Sequence, residues 1–291
     1  MIGIEATARA KVNLTLHVLG RRTDGYHSLD SVVAFADIGD TVRLLTGKQQ
    51  GVFVYGPFAT AVLGENLVAT AVSKALHLAP GLEVGSFAID KVLPVAAGIG
   101  GGSADAAAAL KLLRRINRPV SDGIDWMALA ARIGSDVPVC FLNRACRMSG
   151  RGEHLDPLEA FPHLPAVLVN PCVRVPPDKT RQVFERLAAP AIGGARPDSP
   201  PEITGRFDAA GWMKVIAAGR NDLEAPATAV VPAIADVLAA IRAHPATQLA
   251  RLSGAGPTCF GLARSIAEAE ALASDLAKDN PAWWVRATVL S

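Results

Sequence analysis

Residues 93–110 read LPVAAGIGGGSADAAAAL, with four glycines (Gly98, Gly100, Gly101 and Gly102) and seven alanines. A stretch so poor in side chains has two physical readings. Small residues let a helix lie close on a sheet, or else the backbone is itself the binding group. Glycines directly before a helix let the chain approach a ligand closely and leave several N–H groups aimed at one spot. The helix N-terminus adds roughly half a positive charge and unpaired donors. FAIDKVLPVA, just upstream, reads as a strand. Ser103 reads as the cap of a helix whose Ala106, Leu110 and Leu113 form an i, i+4, i+7 stripe. Strand, glycine loop and helix together make a phosphate cradle. Close packing normally needs one or two glycines, so four within five positions favour the cradle. The stretch lacks the GxxxxGK[ST] pattern of a Walker loop, and the chain lacks the HRD and DFG triplets of protein kinases.

The rest of the chain narrows the class. It has 291 residues, half of them apolar and 19% charged, as in ordinary globular proteins. Lys and Arg exceed Asp and Glu by only two and form no basic run, so no nucleic-acid partner is expected. Cys140, Cys146, Cys172 and Cys259 lie far apart, with no CxxC pair. They read as buried thiols in a reducing compartment, neither a disulfide frame nor a zinc site. MIGIEATARAKVNL has no apolar core of signal-peptide length, and no run approaches the ~20 apolar residues that span a bilayer. No membrane partner is expected, and the expected location is cytoplasmic.

In AKVNLTLHVL (10–19), Val12, Leu14, Leu16 and Val18 alternate with Lys11, Asn13, Thr15 and His17. That is a half-buried strand with Lys11 and Asn13 sharing a face. Asp24-Gly25 marks a turn, and LDSVVAFADIGDTVRLL predicts two strands around a turn at Asp37–Asp40. Residues 65–78 predict a helix starting near Asn66, with Leu67, Ala71, Lys74 and Leu78 on one side. A second helix near 125–133 ends at Gly134, and SDVPVCFL reads as a loop and a strand. FPHLPAVLVNP reads as a strand, and residues 189–211 as a mobile loop rich in Pro, Gly and Ala. TQLARLSGAGPTCFGLA holds a second glycine-rich turn, followed by a helix in SIAEAEALASDLAK. The pattern suggests α+β in two lobes joined near 150–160.

PVAAGIGGGSA (94–104) resembles the glycine-rich ATP loop of the GHMP kinases, and LSGAGPTCFGL (252–262) is similar to that family's C-terminal motif. AKVNLTLHVLGRRTDGYHSLDSV (10–32) is more specific and resembles the branch acting on a cytidine-diphosphate alcohol. GSDVPVCF (134–141), GRGE (150–153) and NDLE (221–224) fit that branch in order. The resemblance covers nearly the whole chain and is weakest across 180–215. Ala96 and Ala97 depart from it, standing where glycine is common.

The resemblance implies a two-lobed α+β kinase. Residues 1–155 would be the ATP-binding, ribosomal-S5-like lobe and 156–291 a ferredoxin-like lobe. It implies ATP as phosphoryl donor, bound along Pro94, Val95, Ala96, Ala97, Gly98, Ile99, Gly100, Gly101, Gly102, Ser103 and Ala104. Lys11 and Asp136 are implied as catalytic. Their chemistry suits phosphoryl transfer, which needs positioning and charge compensation more than covalent steps. An aspartate near the acceptor hydroxyl can orient it and take its proton, and a lysine beside it offsets charge on the transferred group. Without the surrounding motifs, Lys11 would pass for an exposed strand lysine and Asp136 for a turn residue. Asn13, Tyr26 and His27 are implied as substrate contacts, the last two at the cytidine end. An exposed aromatic beside a His at a loop end suits base stacking; the bland alternative is a Tyr packed over a hairpin and a solvated His. His17 belongs with the structural residues, and Asn221 and Glu224 with those that order the lobe junction. No Asp/Glu cluster has the spacing of a metal cage. Mg2+ is expected to arrive with ATP, with Ser103 the candidate contact. Two other readings stay open: a family member of homoserine or mevalonate type, and a non-catalytic nucleotide-binding module.

Overall fold

The computed structural model describes residues 3–62, 64–118, 120–192, 200–203 and 207–291. In chain order the strands are β1 (Gly3–Asn13), β2 (His17–Arg21), β3 (His27–Thr46), β4 (Gly51–Tyr55), β5 (Gly85–Asp90), β6 (Cys146–Gly150), β7 (His154–Pro157), β8 (Leu164–Asn170), β9 (Leu249–Leu252), β10 (Cys259–Leu262) and β11 (Trp284–Leu290). The helices are α1 (Leu67–Leu78), α2 (Gly101–Ile116), α3 (Trp126–Ala131), α4 (Val137–Leu142), α5 (Lys179–Leu187), α6 (Ala209–Ala218), α7 (Glu224–Val230), α8 (Ala233–Ala243) and α9 (Ile266–Asp279). The fold class is α+β, as expected.

Two compact units interleave along the chain. The first holds the N-terminal stretch to Lys11, Ile38–Val95 and Gly100–Asn143; the second holds Val12–Asp37, Ala96–Ile99 and Arg144–Ser291. These units are drawn differently from a single division at residue 155. In the first unit, β5 runs parallel to β4 and antiparallel to the second half of β3. Helices α1 and α4 pack on α2. Ala104, Ala106–Ala109, Leu110, Leu112 and Leu113 of α2 are all buried, so this helix is covered nearly all round. In the second unit, β8 lies between β11 and β10, β10 pairs with β9, and β11 reaches β3 at Leu290↔Ala36. Val167, Val169, Ile234, Val237, Ile241, Leu252 and Leu272 close its core.

Several local expectations fail for identifiable reasons. The strand expected over 10–19 is two, with β1 ending at Asn13 and β2 starting at His17. Lys11, Asn13, Thr15 and His17 are buried, so the polar face does not meet solvent. The turn expected at Asp37–Asp40 is absent, and β3 runs through all 20 residues. Gly39 is needed for a close approach: a Cβ there would collide with the Ala8 backbone. Asp37 accepts from Thr288 Oγ1 and Val289 N, and Asp40 Oδ1 accepts from Val92 N and Leu93 N at 2.7 and 2.8 Å. These aspartates serve neighbouring segments instead of folding back on their own backbone.

SDVPVCFL is helical, not a strand, because Pro138 falls in the first turn of α4, where its missing N–H costs nothing. Ser103 does not cap α2; Gly100 holds that position with φ +66. Asn66 does cap α1, accepting from Val68 N, but the buried face is Val68, Ala71, Val72 and Ala75, and Leu78 is exposed. Cys172 is exposed, while Cys140, Cys146 and Cys259 are buried. Of the loop expected at 189–211, residues 193–199 and 204–206 lie outside the described residues, Ala191 bridges Arg21, and α6 begins at Ala209.

Candidate active site

The first unit brings Lys11, Asp136 and the start of α2 together. Lys11 extends from β1 with its side chain 5% exposed, and its Nζ lies 3.0 Å from Asp136 Oδ2. Asp136 stands at the N-cap position of α4 yet makes no capping bond. Its carboxylate, 36% exposed, is left to the lysine and to solvent. A Cβ built on Gly100 would sit 3.3 Å from Lys11 Cβ, so the entry to α2 lies against the lysine stem. Cys140 Sγ would lie 3.7 Å from the same point. Burial pushes this thiol up to about 12, with Asp136 adding to the effect, so it stays neutral.

Gly101, Gly102 and Ser103 are the first residues of α2, and their amides have no carbonyl partner within the helix. The first return is Ala104 N to Gly100 O, 2.8 Å. The glycines differ in what holds them bare. A Cβ on Gly98 (φ +78) would lie 2.6 Å from Ser253 O and 2.7 Å from Gly256 N. This glycine exists for close backbone packing against the second glycine-rich turn. A Cβ on Gly101 would come 3.2 Å from Lys91 Nζ, and no left-handed φ constrains that residue. A Cβ on Gly102 would meet only Leu67 Cδ1, at 3.8 Å, and the residue is exposed. Among the described residues, no atom within reach of its Cβ requires Gly102 to be glycine. The close-packing reading of the loop holds at Gly98, and at Gly102 the open space is compatible with the phosphate-cradle reading.

Beneath Gly101 sits a cluster the sequence reading missed. Lys91 Nζ donates to Asp40 Oδ2 at 2.5 Å and to Asp105 Oδ2 at 2.7 Å, all three buried. Burial alone would lower the Lys91 ammonium, but Asp105 and Asp40 outweigh it and raise it. Burial pushes the Asp105 carboxyl up to about 7; Lys91 offsets part of this, and Asp40 adds to it. The signal was present in the sequence: a lone Asp in an alanine run and a lone Lys leaving an apolar strand are ionisable groups that stay buried only when paired. Because the folded value lies above the ordinary carboxylate value, Asp105 lowers stability progressively as pH rises from about 4 to about 7. The melting temperature of Asp105→Asn relative to the parent should therefore shift in the variant's favour as pH rises from about 5 to about 8, on top of a pH-independent cost for the hydrogen bond lost to Lys91. A gap independent of pH in thermal melts would contradict this account.

In the second unit, Asn13 Nδ2 donates to Ser31 Oγ at 2.8 Å and Asn13 N to Ser253 Oγ at 3.2 Å. Its Oδ1 is buried and has no partner among the described residues. Asn221 Nδ2 donates to Leu252 O and Gly254 O at 2.8 and 2.9 Å, and Glu224 Oε2 accepts from Leu252 N. Both residues order the 253–258 turn. His17 is buried, and its Nε2 accepts from Arg220 N. At the tip between β2 and β3, Tyr26 is 58% exposed, with the Arg151 guanidinium 4.9 Å from its ring centroid. DGYH and GRGE thus meet. The His27 ring stacks on Phe184 of α5, centroids 4.7 Å apart and planes 23° apart. Phe184 carried no motif in the sequence. Burial, and secondarily Arg21, lower the His27 pKa, so its ring is neutral at neutral pH.

The family description "GHMP kinases N terminal domain" matches residues 65–144, and "GHMP kinases C terminal" matches 206–282. The chain belongs to the GHMP kinase family. A 4-diphosphocytidyl-2-C-methyl-D-erythritol kinase of Bradyrhizobium diazoefficiens is 47% identical over 97% of this GHMP kinase and 96% of its own length. A crystal structure of 4-(cytidine 5'-diphospho)-2C-methyl-D-erythritol kinase aligns over 99% of both chains with TM-score 0.76 and 32% identity. Homoserine kinase from Cytophaga hutchinsonii, at TM-score 0.65 and 16% identity over 98% of this chain and 94% of its own, shares the fold. Among the described residues, no helix is long and apolar enough to cross a membrane, and no group of three His, Cys, Asp or Glu could hold a metal ion.

Proposed function

We propose that this GHMP kinase transfers the γ-phosphoryl group of ATP to the 2-hydroxyl of 4-diphosphocytidyl-2-C-methyl-D-erythritol, a step of non-mevalonate isoprenoid biosynthesis. The reading is carried by the ion pair of Lys11 and Asp136 beside the open N-terminus of α2. The amides of Gly101, Gly102 and Ser103, with the helix dipole behind them, bind the phosphates of the donor. Asp136 orients the acceptor hydroxyl and takes its proton as the oxygen bonds to phosphorus. Lys11 offsets charge on the group in transfer. Mg2+ carried with the nucleotide would be held mainly by phosphates and water, with Ser103 as the candidate contact on this chain, and would supply charge neutralisation. The unpartnered Asn13 Oδ1 offers an acceptor to a substrate hydroxyl. ADP release measured with the cytidine substrate beside homoserine and mevalonate is the test. Turnover restricted to the cytidine substrate is expected; preference for either alternative overturns the assignment.

At the cytidine end, exposed Tyr26 supplies the platform and neutral His27 an edge that both donates and accepts. Tyr26→Ala should raise KM for the cytidine substrate by roughly five- to over a hundredfold, the worth of one base stack. KM for ATP should barely move, and kcat should fall less than affinity, since the base lies far from the reacting hydroxyl. Equal weakening of both substrates would mean that the hairpin only supports its unit.

A further inference from the structure

The second unit contains a buried cation that the chemistry above does not use. Lys179 opens α5 and is 4% exposed. Its Nζ donates to Ala96 O at 3.0 Å and, by a shorter contact, to Gly256 O. Asp178, its neighbour in sequence, is engaged by Arg181 and Gln182, and among the described residues no carboxylate pairs with Lys179. Burial lowers its ammonium to about 8. An unpaired buried ammonium is costly, so its carbonyl contacts have to repay the desolvation.

Those contacts belong to a pattern. Three successive carbonyls of the glycine-rich loop are each bound within this unit. Ala96 O accepts from Lys179 Nζ, Ala97 O from Thr258 N at 3.0 Å, and Gly98 O from Ser253 Oγ at 3.1 Å. A loop that presents N–H groups to an anion must keep its carbonyls engaged elsewhere, because exposed carbonyl oxygens repel the same anion. Ala96 also has φ +54, a left-handed conformation about 1–2 kcal/mol uphill for an alanine. Its carbonyl is the one held by a charge.

We propose that Lys179 is a positioning residue for phosphoryl transfer: its ammonium clamps the Ala96 carbonyl to the 253–258 turn and so holds the entry of the nucleotide loop in its anion-receptive shape. The inference rests on the reading of residues 94–104 as the nucleotide loop. It also explains how this chain tolerates alanine at 96, because the lysine offsets a conformation that glycine would adopt freely.

Lys179→Met keeps the stem and removes the donors. KM for ATP should rise about ten- to a hundredfold, the scale of losing charge-assisted hydrogen bonds. KM for the cytidine substrate and kcat at saturating ATP should change little. Adding Ala96→Gly to Lys179→Met should recover much of the lost ATP affinity, which a general packing defect would not allow. A parallel rise in both KM values, or no recovery with Ala96→Gly, overturns the proposal. If Lys179→Met does not fold, Lys179→Gln retains an uncharged donor, and parent-like ATP binding by that folded variant overturns it as well. Equilibrium binding of ATP to the parent, measured beside turnover, separates the two levels. A parent that does not bind ATP refutes the nucleotide-loop reading itself. A parent that binds ATP, set against a variant that binds as well, refutes only the role of Lys179.

Discussion

Asp136→Asn should lower kcat by about 10²–10⁴-fold, the usual worth of a positioned general base. The asparagine keeps the size of the side chain and an oxygen for Lys11 Nζ, now 3.0 Å from the carboxylate, but it cannot take a proton. Stability should fall only modestly: buried Lys11 loses a charged partner, but the part-exposed side chain makes no capping bond to α4 and the amide oxygen still accepts from the ammonium. ATP affinity should hold, since the amides of α2 are untouched. Rapid-quench single turnovers, with ATP binding and melting temperature measured beside them, decide the matter. A variant turning over at half the parent rate would make Asp136 a structural partner of Lys11 and remove the base from the mechanism.

Gly98→Ala and Gly102→Val should fail in opposite ways. The first forces a Cβ to 2.6–2.8 Å from the backbone of Ser253 and Gly256 at φ +78. A loss of about 2–5 kcal/mol in stability is expected, from left-handed strain plus overpacking. The Cβ added by the second meets, among the described residues, only Leu67 Cδ1 at 3.8 Å on an exposed position, so melting should change little. Its added bulk stands at the helix N-terminus, and KM for ATP should rise by more than tenfold, a cost of about 1.4 kcal/mol or more. If Gly102→Val binds ATP as the parent does, the space it fills is not the phosphate site. If Gly98→Ala melts normally, the loop does not pack on the 253–258 turn as described.

Much of the candidate site was legible in the sequence because the residues proposed for its chemistry sit in local signals. The glycine run, the strand ahead of it and the helix after it are all consecutive, and the helix with its open amides follows from them. Lys11 and Asp136, 125 positions apart, were joined by resemblance to a family, and the structure places them 3.0 Å apart. What was not legible depends on partners distant in sequence. Asp37, Gly39 and Asp40 carry turn signals, yet they lie in mid-strand because Thr288, Ala8 and Val92 meet them there. SDVPVCFL has the β-branched residues of a strand, and a proline in a first turn made it a helix. Lys179 and Phe184 carry no motif. Their roles appear only when α5 is seen against Ala96 and His27.

The interleaving of the two units also bears on how the protein is made. The first unit has all its segments once residue 143 has been synthesised. The second cannot close until β11 has been made. Ala36, early in the sequence, pairs with Leu290, and Asp37 takes its hydrogen bonds from Thr288 and Val289. The stretch of β3 around Ala36 therefore emerges from the ribosome some 250 residues before its β11 partner, open to wrong pairings in the interval. At 5–20 residues per second that interval is on the order of ten seconds to a minute. Yield in a foreign host should depend on chaperones that cover strand edges. A split of the chain near its midpoint would give a first fragment holding a whole unit together with β2 and the first half of β3, which pair with each other but lack the β6 and β11 partners of β3.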